Sequence, residues 1–102
     1  MARSFVFPPI VLRFFVGNTE RHDVICGWDH KWGNFAVTVN GLLVVHDSNV
    51  LTTQMQQNYI FWVGQNERHH VQVQRTRPVL LPAFRKHSFA AFVNGQLVAQ
   101  TP

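Results

Sequence analysis

Two stretches of the chain hold residue types that could contact a ligand. Between Trp28 and Trp32, two indoles flank His30 and Lys31, a pattern that offers an apolar surface beside cations and suits a partner contact. From Arg75 to His87 the cations Arg75, Arg77, Arg85 and Lys86 occur without any acid, which is the chemistry of a phosphate or carboxylate contact. Each has a plainer alternative. A tryptophan can fold back over the edge of a core, and the cationic stretch can be a solvated loop whose Val79, Leu80, Leu81 and Phe84 tuck into it.

The other reactive types do not assemble into a site. His69 and His70 are adjacent in a strand-like run and so point to opposite faces, which stops both from holding one ion. His22 and His69 occupy equivalent places in a repeat, but a third ligand is not indicated, so no metal and no cofactor are expected. His46, Asp47 and Ser48 are neighbours in sequence, whereas a triad is built from distant segments. Cys26 falls in the phase of the core and is expected to be an inert buried thiol. With no acid, base and nucleophile brought together, no enzyme is expected.

The elements that must position these residues come from an internal repeat. Phe14 to Val24, F-F-V-G-N-T-E-R-H-D-V, returns as F-W-V-G-Q-N-E-R-H-H-V from Phe61 to Val71. Phe35 to Val44, F-A-V-T-V-N-G-L-L-V, returns as F-A-A-F-V-N-G-Q-L-V from Phe89 to Val98. Leu12, Phe14 and Val16 alternate with Arg13 in strand periodicity, and the chain returns through His22, Val24 and Cys26. Asn40-Gly41 and Asn94-Gly95 lie between apolar runs and supply the positive-φ pair of a type I′ hairpin turn. Gly27 to Asn34 and Arg75 to His87 read as loops, and His46 to Gln57 as the connection between halves. The expected fold is all-β: an antiparallel β-sandwich or flattened barrel of about eight strands, one domain over residues 1–102, built from four-strand halves at about 11–46 and 58–100.

Features shared by both halves are explained by the fold. Glu20-Arg21 and Glu67-Arg68 are therefore read as turn residues, each pairing across its own hairpin. The last hairpin raises a different point. A two-residue turn pairs Val93 with Gln96 and sets Phe92 beside Leu97. With Phe89, Ala91 and Val93 facing the core, Phe92 and Leu97 become an exposed apolar pair, and such a cluster marks an association surface.

Composition sets outer limits. The 102 residues with 46% hydrophobic content close one core, and nine Lys and Arg against five Asp and Glu give a net charge of +4, which favours anionic partners without requiring them. The single cysteine makes no internal disulfide. No apolar stretch approaches the length of a membrane span, so no membrane association is expected. Pro8 and Pro9 interrupt the opening apolar run and no cleavage site follows it, which reads as mature sequence in a cytoplasmic protein.

F-W-V-G-Q-N-E followed by F-A-A-F-V-N-G-Q-L-V resembles the hairpins of the Fas apoptotic inhibitory molecule family, and the cadence from Phe14 to Val44 repeats it over the other half. That resemblance implies an intracellular, non-enzymatic β-sandwich acting through protein contacts. H-H-V-Q-V-Q-R with F-V-N-G-Q-L-V also resembles the closing strands of laminin-G or concanavalin-like jelly rolls, which implies sugar or protein binding. The leading expectation is a non-catalytic module that binds a protein partner or forms a homodimer through the Trp28/Trp32 loop or the Phe92/Leu97 face. The alternative is a module for an anionic polymer, nucleic acid or acidic glycan, through Arg75, Arg77, Arg85 and Lys86, with weak, salt-sensitive binding.

Overall fold

A computed structural model describes residues 6–29, 33–48, 56–76 and 88–101. They form β1 (Ile10–Val16), β2 (His22–Asp29), β3 (Asn34–Val39), β4 (Leu42–Ser48), β5 (Gln56–Val63), β6 (His69–Thr76), β7 (Ser88–Val93) and β8 (Gln96–Gln100), with no helix among the described residues. Strands β1 to β4 pair in chain order as one antiparallel sheet, and β5 to β8 as a second. The two sheets form the expected sandwich, and each half of the repeat is one whole sheet.

The halves agree strand by strand. Phe14 lies opposite Val24 and Val24 opposite Val39; their counterparts Phe61, Val71 and Val93 pair the same way. One irregularity recurs, since the β3–β4 register shifts between Val37 and Thr38 and the β7–β8 register between Ala91 and Phe92, whereas the β1–β2 shift between Ile10 and Leu12 has no counterpart in β5–β6. The recurring bulges leave Val44 and Val98 as the extra residues of their strands. At the hairpin tips Asn40 and Asn94 have φ of 52° and 51°, and Gly41 and Gly95 both have 84°. These are the left-handed values a type I′ turn demands.

Period-two alternation fills the space between the sheets. Leu12, Phe14, Val16, Val24, Cys26, Phe35 and Val37 from the first sheet meet Tyr59, Val63, Val71, Val73, Phe89 and Ala91 from the second. Phe35 stacks on Tyr59 with ring centroids 4.2 Å apart and lies parallel to its own counterpart Phe89 at 5.9 Å.

Three boundaries differ from the sequence expectation. Gly27, Trp28 and Asp29 belong to β2 and not to a loop, because the β1–β2 ladder continues as the Trp28 N–H donates to the Pro9 carbonyl at 2.9 Å. Gly27 permits this. A Cβ there would stand 2.5 Å from the Pro8 carbonyl oxygen and 2.6 Å from the Phe7 ring, so residues 7–8 lie directly over it. The connection between halves is also shorter than expected, with β4 continuing through Ser48 and β5 starting at Gln56. Arg75 lies inside β6.

The Glu-Arg turns work differently from the expected cross-hairpin pairing. Glu20, from the β1–β2 turn, accepts from Asn66 Nδ2 at 2.9 Å and from the Gln65 N–H at 3.4 Å in the β5–β6 turn. Glu67, from the β5–β6 turn, accepts from the Asn18 N–H at 2.8 Å and the Thr19 hydroxyl at 2.9 Å in the β1–β2 turn. Each half thus lends one carboxylate to the other. Behind each carboxylate stands a histidine held by the Asn-Gly turn of its own half. Asn40 Oδ1 accepts the Asp23 N–H, which turns Asn40 Nδ2 toward His22 Nδ1 at 2.9 Å. Asn94 does the same with the His70 N–H and His69 Nδ1. The amide donates to Nδ1, so the ring hydrogen sits on Nε2. From there His69 reaches Glu67 at 3.1 Å and His22 stands 3.5 Å from Glu20.

These donors depress the acids. Hydrogen bonds from His69, then from Asn18 and Thr19, bring the Glu67 pKa from 4.5 to about 2. For Glu20 desolvation is the largest single effect and opposes ionisation, but the bonds from Gln65 and Asn66, with the nearby His22 imidazole, together outweigh it and lower the pKa.

Two outcomes follow from this architecture. Gly41→Val and Gly95→Val should each destabilise the protein by about 1 kcal/mol or more in thermal melts. That cost is conformational, since a Cβ at either glycine meets nothing within 4 Å. The Glu67 contact should be complete above the unfolded carboxylate pKa, near 4.5, and lost as pH falls through about 2. Urea unfolding at stepped pH should therefore show stability declining across that window, with a shallower decline in Glu67→Gln. Parallel acid limbs for the two proteins would exclude the clasp.

Candidate binding face and buried polar cluster

The sequence candidates separate into core residues and surface residues. Trp28 is 8% exposed and packs against Phe89 with ring centroids 5.9 Å apart, so it is a core residue and not an exposed contact. Strand phase explains this: Val24, Cys26 and Trp28 share the inward side of β2.

Arg75 is corrected in the same way. It follows Val71 and Val73 on the inward side of β6 and is 3% exposed, so it is not a cation of a solvated loop. Its guanidinium lies 4.4 Å over the Trp28 ring, and its Nη2 donates to Gln57 Oε1. Gln57 Nε2 then donates to Asp47 Oδ2 at 3.1 Å, and the same oxygen accepts from the Tyr59 hydroxyl at 2.8 Å. Burial, then the bond to Asp47, push the Tyr59 hydroxyl pKa well above its ordinary value. The cluster holds charge together without offering it to solvent. The polyanion expectation loses Arg75; its other members Arg77, Arg85 and Lys86 lie outside the described residues, as do His30, Lys31 and Trp32.

The surface candidates Phe92 and Leu97 do meet as the hairpin register requires, with Leu97 exposed and Phe92 half-buried. They sit in a larger face. Ile60, Gln72, Phe92 and Leu97 form one row across β5, β6, β7 and β8 on the outer side of the second sheet. Trp62, 58% exposed, stands next to that row, opposite His70, with its ring edge-on to the imidazole at 5.2 Å. Arg68 lies 5.2 Å over the indole from the turn. The following rows are Asn58, Gln74, Ala90 and Gln100, then Gln56, Thr76 and Ser88. None of these three rows contains an Asp, Glu, Lys or Arg.

The matching face of the first sheet is built otherwise. Its row Arg13, Ile25, Thr38 and Leu43 carries the Arg13–Asp23 ion pair at 2.9 Å. Its Gly27–Ala36 region is covered by residues 7–8, and Ala36 is completely buried. The counterpart Ala90 on the second sheet is only partly buried.

Trp62 and Ile60 were missing from the sequence candidates although the signal was present. Val63 and Phe61 point inward beside His69 and Val71, so Trp62 and Ile60 must point outward. Among the described residues no group of three or more His, Cys, Asp or Glu could hold a metal ion. No family model, no curated protein and no solved structure matches the chain.

Cys26 is fully buried and desolvation pushes its thiol pKa up to about 12, which removes it as a nucleophile. A disulfide reagent at neutral pH should leave native protein unlabelled for as long as it stays folded and label it completely in denaturant. Rapid native labelling would place Cys26 at the surface.

Proposed function

We propose that the protein is a non-catalytic binding module that pairs with a second copy of itself through the outer face of its second sheet. The observation that carries this reading is the difference between the outer faces of two otherwise matching sheets. One is overlaid by Phe7 and Pro8 and carries an ion pair beside exposed Phe15 and Leu43; the other presents Ile60, Trp62, Phe92 and Leu97 beside rows of uncharged amides and hydroxyls, with Arg68 at the margin over Trp62.

A second copy is the occupant this face suits. A twofold contact brings the same patch against itself, so any net charge on it would repel its own image. The three rows carry none, in a chain whose net charge is +4. Exposed Trp62 supplies a rigid amphipathic anchor of the kind that dominates interface energies, and the glutamines and asparagines can exchange hydrogen bonds across the twofold. Among the described residues the inner faces bring no nucleophile and base together: the Cys26 thiol is buried, and His22 and His69 are engaged with Asn40 and Asn94.

Sedimentation velocity over a concentration series tests the reading. The wild type should show a reversible monomer–dimer equilibrium, and Phe92→Asp and Trp62→Asp should each raise its dissociation constant by about tenfold or more while keeping the strand signature in circular dichroism. A wild type that stays monomeric throughout, or a dimer indifferent to both substitutions, overturns it.

A further inference from the structure

The contact between the two sheets has the symmetry of a homodimer interface inside one chain. Phe35 stacks on its counterpart Phe89, and the carboxylates of Glu20 and Glu67 are exchanged reciprocally between equivalent turns. No backbone ladder joins the sheets among the described residues. Among the described residues the halves meet through side-chain packing and through hydrogen bonds that each have a side chain as one partner, and such contacts form equally well whether the halves belong to one chain or to two.

The cluster around Arg75 breaks this symmetry. Trp28 and Arg75 occupy equivalent positions and meet each other. Asp47 lies opposite Phe35 in β4, and the residue equivalent to it is Thr101, whose N–H donates to Phe89. Tyr59, opposite Val73, is matched in the first half by Leu12, opposite Cys26. Pairing two first halves would therefore set Trp28 against Trp28 and leave two Asp47 carboxylates facing Leu12, with no Tyr59 and no arginine. Pairing two second halves would set Arg75 against Arg75 with no acid, and buried like charges repel strongly. A first half with a second half sets one Arg75 over one Trp28 and gives Asp47 the Gln57 and Tyr59 donors.

We infer that the inner face of each half is a self-recognition surface for the opposite half of a second copy, so that the chain forms a domain-swapped dimer in which Trp28–Arg75 admits only first-with-second pairing. This interface does not use the outer face of the second sheet and does not depend on it. Closed monomer and swapped dimer bury the same contacts and differ only in whether the connection closes on its own chain. The swapped form is therefore favoured by mass action and accumulates when refolding occurs at high protein concentration.

Two full-length variants test this, both carrying Phe92→Asp to remove outer-face association. Trp28→Arg opposes two arginines within any pairing of its own halves, and Arg75→Trp opposes two tryptophans. Only a swapped heterodimer of the two restores the contact, giving one half-pair with wild-type Trp28 and Arg75 and one with the pair inverted. The variants are mixed in denaturant and refolded together at high protein concentration. The expected result is a 1:1 heterodimer by native mass spectrometry, with a melting midpoint about 5 °C or more above that of either variant refolded alone. If both variants fold unaided, heterodimer above the statistical fraction still supports the inference. A mixture whose melting is the sum of the separate curves, with heterodimer at or below the statistical fraction, overturns it. The Phe92→Asp protein alone, refolded at the same concentration, should yield a dimer that relaxes slowly to monomer on dilution; monomer only would equally overturn it.

Discussion

A guanidinium withdrawn from water sets how the two sheets face one another. Arg75 has 3% of its surface exposed, and its surroundings must replace the hydration it loses. They do so in part, with pieces of three other strands: the indole face of Trp28 on β2, the Gln57 amide on β5 and, through it, Asp47 on β4, while Nη1 is buried without a hydrogen-bond acceptor. The valines and alanine of the core attract without direction, so they alone would tolerate sliding one sheet over the other. Arg75 would not tolerate it, because a shift would carry Arg75 and its strand neighbour Gln57 away from Trp28 and Asp47 together.

The other end of the sandwich is fixed by a different chemistry with the same effect. Along β2 and β6 the turn residues precede His22 and His69, whereas Trp28 and Arg75 lie near the far ends, so the exchanged carboxylates and the buried cluster hold opposite ends. The turn contacts are exposed, and each alone contributes little. Their weight comes from connection, since an Asn-Gly turn orients a histidine, the histidine supports a carboxylate, and the carboxylate binds the turn of the other half. Strand register within each sheet is thereby linked to the docking between sheets.

Most of the fold could be read from the sequence, because the signals involved are local. Period-two alternation located the strands, Asn-Gly fixed both hairpin tips, and the repeat identified two equivalent halves. The Phe92–Leu97 pairing followed from turn length alone. Partners across the sandwich could not be read: Glu20 and Glu67 look like hairpin residues until the opposite turn is in place. Arg75 shows a subtler failure. Its phase after Val71 and Val73 points inward, but arginine beside Thr76 and Arg77 looks like the start of a solvated loop, and residue type outweighed periodicity. Trp28 reads as a loop residue for a similar reason, since Gly27 looks like a break when its missing side chain in fact makes room for Phe7 and Pro8.

The asymmetry of the outer faces needs a cause outside the fold. Inner positions are constrained by the opposite half, and away from the polar cluster the inner faces stay apolar at equivalent positions, with Cys26 matched by Val73 and Val37 by Ala91. Outer positions are constrained only by solvent, and a sheet exposed to water usually alternates apolar residues with charged or polar ones. The charged residues described lie in turns, on the first sheet or at the buried cluster: Arg13 and Asp23 pair on β1 and β2, Arg21 covers Phe15, and Arg68 covers Trp62 from its turn. The second sheet keeps its three outer rows free of formal charge while leaving an indole, an isoleucine and a leucine substantially exposed. An isolated sandwich gains nothing from that arrangement, because a single lysine or glutamate would improve hydration of the face without disturbing a core contact. A surface that buries its uncharged rows against an identical surface gains from every one of them.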